Sequence, residues 1–128
     1  MDTKQDAAVV FDPDVAIEHC CHSAKLVGEM IQYFFNDVDN VLPRMRVALQ
    51  TGNLVEVGQL GHRLKGTLVY LGAKSAEEAA QRVERFGRPS DGTLSGAVEA
   101  INALERECLA LKALLIAHPL TAKAKQND

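Results

Sequence analysis

Apolar residues recur at three-and-four spacing along almost the whole 128-residue chain, the period of helices that bury one face. Asp12 followed by Pro13 supplies an N-cap and a first helical position for a short helix over DPDVAIEHC. Ser23 caps a second helix, whose apolar line runs through Val27, Met30, Ile31, Phe34, Val38, Val41, Met45 and Ala48 or Leu49. Pro43 falls inside that line. Because proline removes the hydrogen bond to the carbonyl four residues back, the expectation is a kink near Asp39 and not a break. Gly52 ends this helix. Asn53 with Glu56 forms a capping-box-like start for a third helix that runs to about Leu71, with Gly72 as its stop. Ser75 and Glu78 repeat the device for a fourth helix ending near Phe86, and GRPSDG is the clearest loop of the chain. From Leu94, the residues Val98, Ile101, Leu104, Cys108, Leu111 and Leu115 make a last long stripe, closed by His118 and Pro119.

No segment sustains strand alternation. Four amphipathic helices joined by short connections predict an all-α fold: an antiparallel four-helix bundle over residues 11–117, with the first short helix as a cap. Residues 1–10 and 118–128 are expected to be flexible termini, the polar tail TAKAKQND among them. A chain of this length buries a core without disulfide or metal staples, and a bundle that buries its own stripes is expected to be a monomer.

Charge and composition remove several classes of function. The net charge is −3 and the acidic and basic residues are interspersed. Without a basic stripe to displace counterions, nucleic acid is not an expected partner. The most apolar run, ALKALLIA, is interrupted by Lys112 and falls short of a membrane span. The acidic N-terminus lacks a signal-peptide layout, and three cysteines make no disulfide framework, so a reducing cytoplasm is the expected location. HCCH at residues 19–22 has the residue types of a zinc site. Adjacent residues diverge around a helix, however, and the usual gap between ligand pairs is missing, so packing at a helix junction is expected and no metal. Cys108, Met30, Met45, Phe34 and Phe35 read as core by their spacing, and Glu77, Glu78, Arg82, Glu84 and Arg85 as a solvated helix face.

The stretch GHRLKGTLVYLGA, residues 61–73, is less ordinary. A glycine inside a helix costs about 1 kcal/mol relative to alanine, so the interior glycines of the third helix cost it about 3 kcal/mol together. Val57, Leu60, Leu64, Thr67, Leu68 and Leu71 share its buried side, and His62 points away from them. Within about 60° of His62 lie Val55, Gly58, Gln59, Lys65, Gly66, Val69 and Ala73, a face short of charge and rich in small or apolar groups. Gly58 and Gly66 flank the histidine, so a partner surface can approach the helix backbone there, whereas Gly61 on the flank suits packing against a neighbouring helix. A neutral imidazole is a competent nucleophile, and an ammonium one turn away can hold the oxygens of a transferred phosphoryl group. Taken by themselves, His62 and Lys65 fit either a solvated surface or such an acceptor site.

These residues also carry a family resemblance. His62, Leu64, Lys65, Gly66, Leu71, Gly72 and Ala73 match the signature of histidine-containing phosphotransfer (HPt) domains, a histidine followed by x-Leu-Lys-Gly and then Leu-Gly-Ala. VLPRMRVALQTGN before it resembles the family's lead-in, and AAQRVERF after it resembles the helix that follows, so the resemblance covers roughly residues 11 to 116. The departures are Gly61 where alanine is common, Asn53 for the usual aspartate, and Arg63 for a small polar residue. The resemblance implies a helical phosphorelay carrier that takes a phosphoryl group from the aspartyl phosphate of one receiver domain and passes it to the aspartate of another. It implies His62 as acceptor, Lys65 as the phosphate-side cation, Gly66 as the gap that admits the receiver, and Val55, Gly58, Gln59 and Val69 as docking surface. It further implies response-regulator receivers and a hybrid sensor kinase as partners, and no cofactor of the carrier's own, since Mg²⁺ sits in the receiver's acidic pocket.

The second class that fits is a degenerate bundle that binds receivers without passing phosphate; retention of both His62 and Lys65 favours the carrier. A sensor kinase's dimerisation bundle does not fit, because no Gly-rich nucleotide segment follows, and a receiver domain does not fit, because there are no alternating strands. The Met1 start and the polar tail point to a free-standing carrier over a piece of a hybrid kinase.

Overall fold

In the computed structural model, which describes residues 9–88 and 93–125, every regular element is a helix: α1 (Pro13–His19), α2 (Ala24–Gln50), α3 (Leu54–Tyr70), α4 (Lys74–Arg85) and α5 (Leu94–Ile116), followed by a 3₁₀ segment (Pro119–Lys125). Of the expected GRPSDG loop, Gly87 and Arg88 form a turn and residues 89–92 lie outside the described residues. Asp12 accepts the Asp14 and Val15 N–H groups at 3.1 and 3.2 Å, Ser23 accepts that of Leu26 at 3.1 Å, and Asn53 that of Glu56 at 3.1 Å. One or two of the orphan donors of each first turn are thereby satisfied, as the sequence predicts. Thr93 caps α5 in the same way through the Gly96 N–H, at 3.2 Å.

Ser75 and Glu78 do not open α4. That helix begins at Lys74, with Ala73 in the cap position and no side-chain cap. Gly72 explains the short connection: at φ +64° it takes the left-handed conformation, its N–H bonds the Val69 carbonyl, and the Ala73 N–H bonds that of Leu68. This Schellman closure leaves Ala73 to start the next helix at once. Gly52, at φ +74°, closes α2 onto α3 by the same pair of bonds. The HCCH segment is a third instance without glycine: Cys21 and His22 adopt φ of 56° and 61°, and the His22 N–H bonds the Ile17 carbonyl at 2.8 Å. Cys20 therefore points into the core and Cys21 to solvent.

α2 runs unbroken through Pro43. It contacts α3 and α5, and α4 contacts α3 and α5, which closes a four-membered ring of helices. The order of its ion pairs shows α2 running opposite to both α3 and α5. Arg44 meets Glu56 and Asp37 meets Arg63 between α2 and α3, and Arg46 meets Glu105 and Asp39 meets Lys112 between α2 and α5. Phe34, Ile31, Met45, Leu64, Leu68, Ile101, Leu104 and Leu111 fill the centre, with Cys108, whose thiol burial pushes up to about 12. Met30 and Phe35 pack at its margin. Two details differ from the helical-wheel expectation. Val98 is 39% exposed, because the buried line at that end of α5 runs through Ala97 and Ala100. Asp37 is buried on α2, where it accepts from Thr67 Oγ1 at 3.2 Å and faces the Arg63 guanidinium at 3.7 Å. No described helix is long and apolar enough to cross a membrane.

The expected flexible tail is, over Pro119–Lys125, a 3₁₀ segment laid along α2. Gly28 makes room for it: a methyl there would lie 2.5 Å from the Ala124 nitrogen and 2.9 Å from the Leu120 oxygen. The Leu120 N–H donates to His118 Nδ1 at 3.1 Å, and the His118 ring meets the Phe11 edge. Hydrophobicity alone misses this segment because it is held by backbone contact and not by an apolar stripe. Gly28→Ala should detach it while leaving the bundle folded. Overpacking costs about 1–3 kcal/mol, so tryptic cleavage after Lys123 is expected to accelerate about ten- to hundredfold with little change in helicity.

Candidate functional site

α3 has two neighbours, so its buried arc is wider than one apolar stripe. On the side toward α4 it carries Gly58 and Gly61, and α4 answers with Ala76, Ala79, Ala80 and Val83 as its buried residues. With almost no side chains in the seam, the backbones touch. A methyl on Gly58 would sit 2.6 Å from the Gly87 Cα, and one on Gly61 would sit 3.0 Å from the Glu84 nitrogen. Gly58 is therefore packed tightly against α4, a role its place on the His62 face does not announce, while it still lines the concavity at His62; Gly61 packs against α4 as expected. Ala73, also placed on the His62 face by periodicity, is fully buried where the chain turns into α4.

The close seam carries a residue of α4 onto the histidine. Glu84 Oε2 lies 2.7 Å from His62 Nδ1, and its other oxygen accepts from Lys65 Nζ at 2.8 Å. The His62 side chain is 69% exposed, while those of Lys65 and Glu84 are 26% and 25% exposed. The Lys65 hydrogen bond, followed by that of His62, holds the Glu84 carboxyl below its usual range, against the opposing effect of burial. Sequence periodicity reads Glu84 as one of several solvated charges. No local signal marks it, because its partners are 19 and 22 residues away on another helix.

Val55 and Gln59 are exposed, and with Gly58, His62, Glu84, Gly87 and Arg88 they line an open concavity of about 430 Å³. Arg88 brings a cation to this concavity that periodicity does not single out. Gly66 is exposed on the other side of His62, and a methyl there would meet nothing within 4 Å. Val69 is half-buried and lines a separate hollow with Val15, His19 and Lys74, so the structure does not gather it with the concavity at His62. Arg63, 58% exposed, flanks the site from the α2 side. Among the described residues, no three His, Cys, Asp or Glu side chains are grouped to hold a metal ion. The site's chemistry is thus that of an accessible imidazole with a carboxylate behind it and cations around it.

The carboxylate ties α3 to α4 in a pH-dependent way. Since its folded-state value lies below the ordinary one of 4.5, its contribution is complete above 4.5 and is lost as pH falls through the lowered value. Half-buried, charge-assisted contacts of this kind contribute about 1 kcal/mol, or about 3–5 °C in Tm for a domain of this size. Glu84→Gln should therefore melt below the wild type near pH 7, with the gap closing as both are acidified below pH 4.5; thermal melts across that range check it.

In comparison with known proteins, a family model for the Hpt domain matches residues 29–114, from the second turn of α2 to the last turn of α5. No curated protein and no solved structure matches. The match spans the bundle that holds His62, Lys65 and Glu84 together, and the chain belongs to the Hpt domain family, the phosphotransfer modules of two-component signalling.

Proposed function

We propose that this domain is a phosphorelay intermediate: His62 accepts a phosphoryl group from the aspartyl phosphate of one receiver domain and passes it to the aspartate of another. The observation that carries the reading is Gly66. It sits in the middle of an exposed helical face with open space where a side chain would be, one turn from His62 and next to Lys65. Gly58 and Gly61 repay their cost to the helix by admitting α4, but Gly66 packs against nothing among the described residues. A helix surface left bare beside a nucleophile at a cost of about 1 kcal/mol suits a partner that must bring its own backbone close.

Each residue then has a role. The imidazole of His62 attacks phosphorus, and Lys65 holds the anionic oxygens as they shift from the receiver to the ring. Val55 and Gln59 give the docking face its contact area, and Val69 extends it one turn past Gly66. Arg63 and Arg88 complement the acidic pocket of a receiver, in which the Mg²⁺ required for aspartate chemistry resides; the carrier brings no cofactor of its own. Monomeric docking of one receiver at a time, in the cytoplasm, completes the reading.

Transfer from radiolabelled, phosphorylated receivers tests it. The wild type should acquire an acid-labile, alkali-stable label, and His62→Gln none; its melting temperature should stay within a few degrees of the wild type because the ring is mostly exposed. Gly66→Leu should raise helix stability by about 0.5–1 kcal/mol yet slow transfer about tenfold or more, since its side chain fills the space left for the receiver. Binding of receivers without any label on the wild type would assign the domain to the non-phosphorylated interaction modules instead.

A further inference from the structure

We propose that Arg44 and Arg63 form a carboxylate-binding notch beside the His62 face, which selects receivers that present an aspartate or glutamate side chain outside their own active-site pocket. α2 and α3 enclose a second open hollow, of about 330 Å³, whose lining includes Arg44, Arg63, Glu56 and the buried Leu60. Val55 and Gln59 line both this hollow and the concavity at His62, so the two make one continuous face. A protein docked over the imidazole therefore lies across the notch as well. Arg63 stands where the family signature frequently has a small polar residue, and Arg44 comes from a different helix, so the pair is a property of this chain and not of the common motif.

Both side chains are 58% exposed, and each guanidinium faces one carboxylate from beyond hydrogen-bond distance: Arg44 lies 3.6 Å from Glu56, and Arg63 lies 3.7 Å from Asp37. Neither donates a hydrogen bond to a described residue, so their N–H groups are left to solvent. Arg46, the other arginine of α2, is by contrast hydrogen-bonded to Glu105. Asp37 is buried, and taking its cation away would leave an uncompensated charge inside the bundle. Arg63 thus stays anchored by one edge and offers its remaining donors outward. Two planar forks at one hollow suit a carboxylate, which a guanidinium grips through two parallel N–H groups. The lining sets two guanidiniums against the single carboxylate of Glu56, a net charge of one, which matches a carboxylate better than a doubly charged phosphate. Contacts of this kind at the edge of an interface act on encounter rate and partner choice, and they repel a partner that brings lysine or arginine to the same place.

The inference rests on the docking of receivers at the His62 face, and the experiment tells its failure from that of the phosphocarrier reading. Dissociation constants of the full chain for a panel of purified receivers, measured by calorimetry at about 0.05 M and about 0.5 M NaCl, report the contact without any transfer step. For the receivers bound most tightly, Arg44→Ala should weaken binding about 3- to 10-fold and Arg44→Glu about 10- to 30-fold at the lower salt, with both gaps closing to about twofold at the higher. Arg63→Lys keeps a charge beside Asp37 but loses the fork, and should weaken binding about threefold. Helicity should not change in any of them. Replacing the matching receiver carboxylate by lysine should restore binding to Arg44→Glu while weakening it to the wild type. Equal affinities of the wild type and both Arg44 variants for every receiver that binds, or a loss that no receiver charge reversal restores, would overturn the inference; labelling of His62 by those receivers would leave the phosphocarrier reading standing. Arg44-dependent binding with no label from any donor would support the notch and count against the phosphocarrier reading alone.

Discussion

Packed helices keep their axes about 8–10 Å apart because side chains fill the seam, and between α3 and α4 those side chains are missing. Gly58, Gly61 and Gly87 bring backbone against backbone, and α4 adds only alanines and a valine to the core. The rest of the site depends on this approach. Glu84 has a side chain of ordinary length, and it bridges His62 and Lys65 because the seam delivers its backbone to within contact distance of Gly61. A larger residue at Gly58 would push the end of α4 outward and take the carboxylate with it.

The glycines of α3 thus divide between two uses, although they look alike in the sequence. Two of them face inward and are repaid by the packing of α4; the third faces solvent and has no packing contact among the described residues. That division separates the structural demands of the bundle from those of a partner. It also places the cations sensibly: Lys65 is committed to the carboxylate, while Arg63 and Arg88 flank the imidazole on opposite sides. The site has an interior half, in which the carboxylate joins His62 to Lys65, and an open exterior half, the concavity in front of the ring.

The connections show the same economy. Three helix ends use the Schellman closure, two with glycine and one with Cys21 in the left-handed position, and in two of them the residue after the turn is already the cap of the next helix. Such tight corners fix neighbouring helices as antiparallel and leave little slack in their register. The HCCH cluster owes its position to this role as a corner.

Local rules made the helices, most of their caps and the exposure of His62 and Gly66 legible in the sequence, because periodicity and capping act within a few residues of one another. Thr93 caps a helix whose apolar stripe begins only at Leu94, and Ser75 misleads because the Gly72 turn already begins the helix at Lys74. The signature around His62 carried the family, being contiguous along one helix. The width of the buried arc on α3 was not legible: a helical wheel shows one apolar side and says nothing of how far around it a second neighbour will wrap. Only the tertiary structure could bury Gly58 and Ala73, seat Pro119–Lys125 against Gly28, and set Glu84 behind the histidine, since each is decided by contacts between segments distant in the chain.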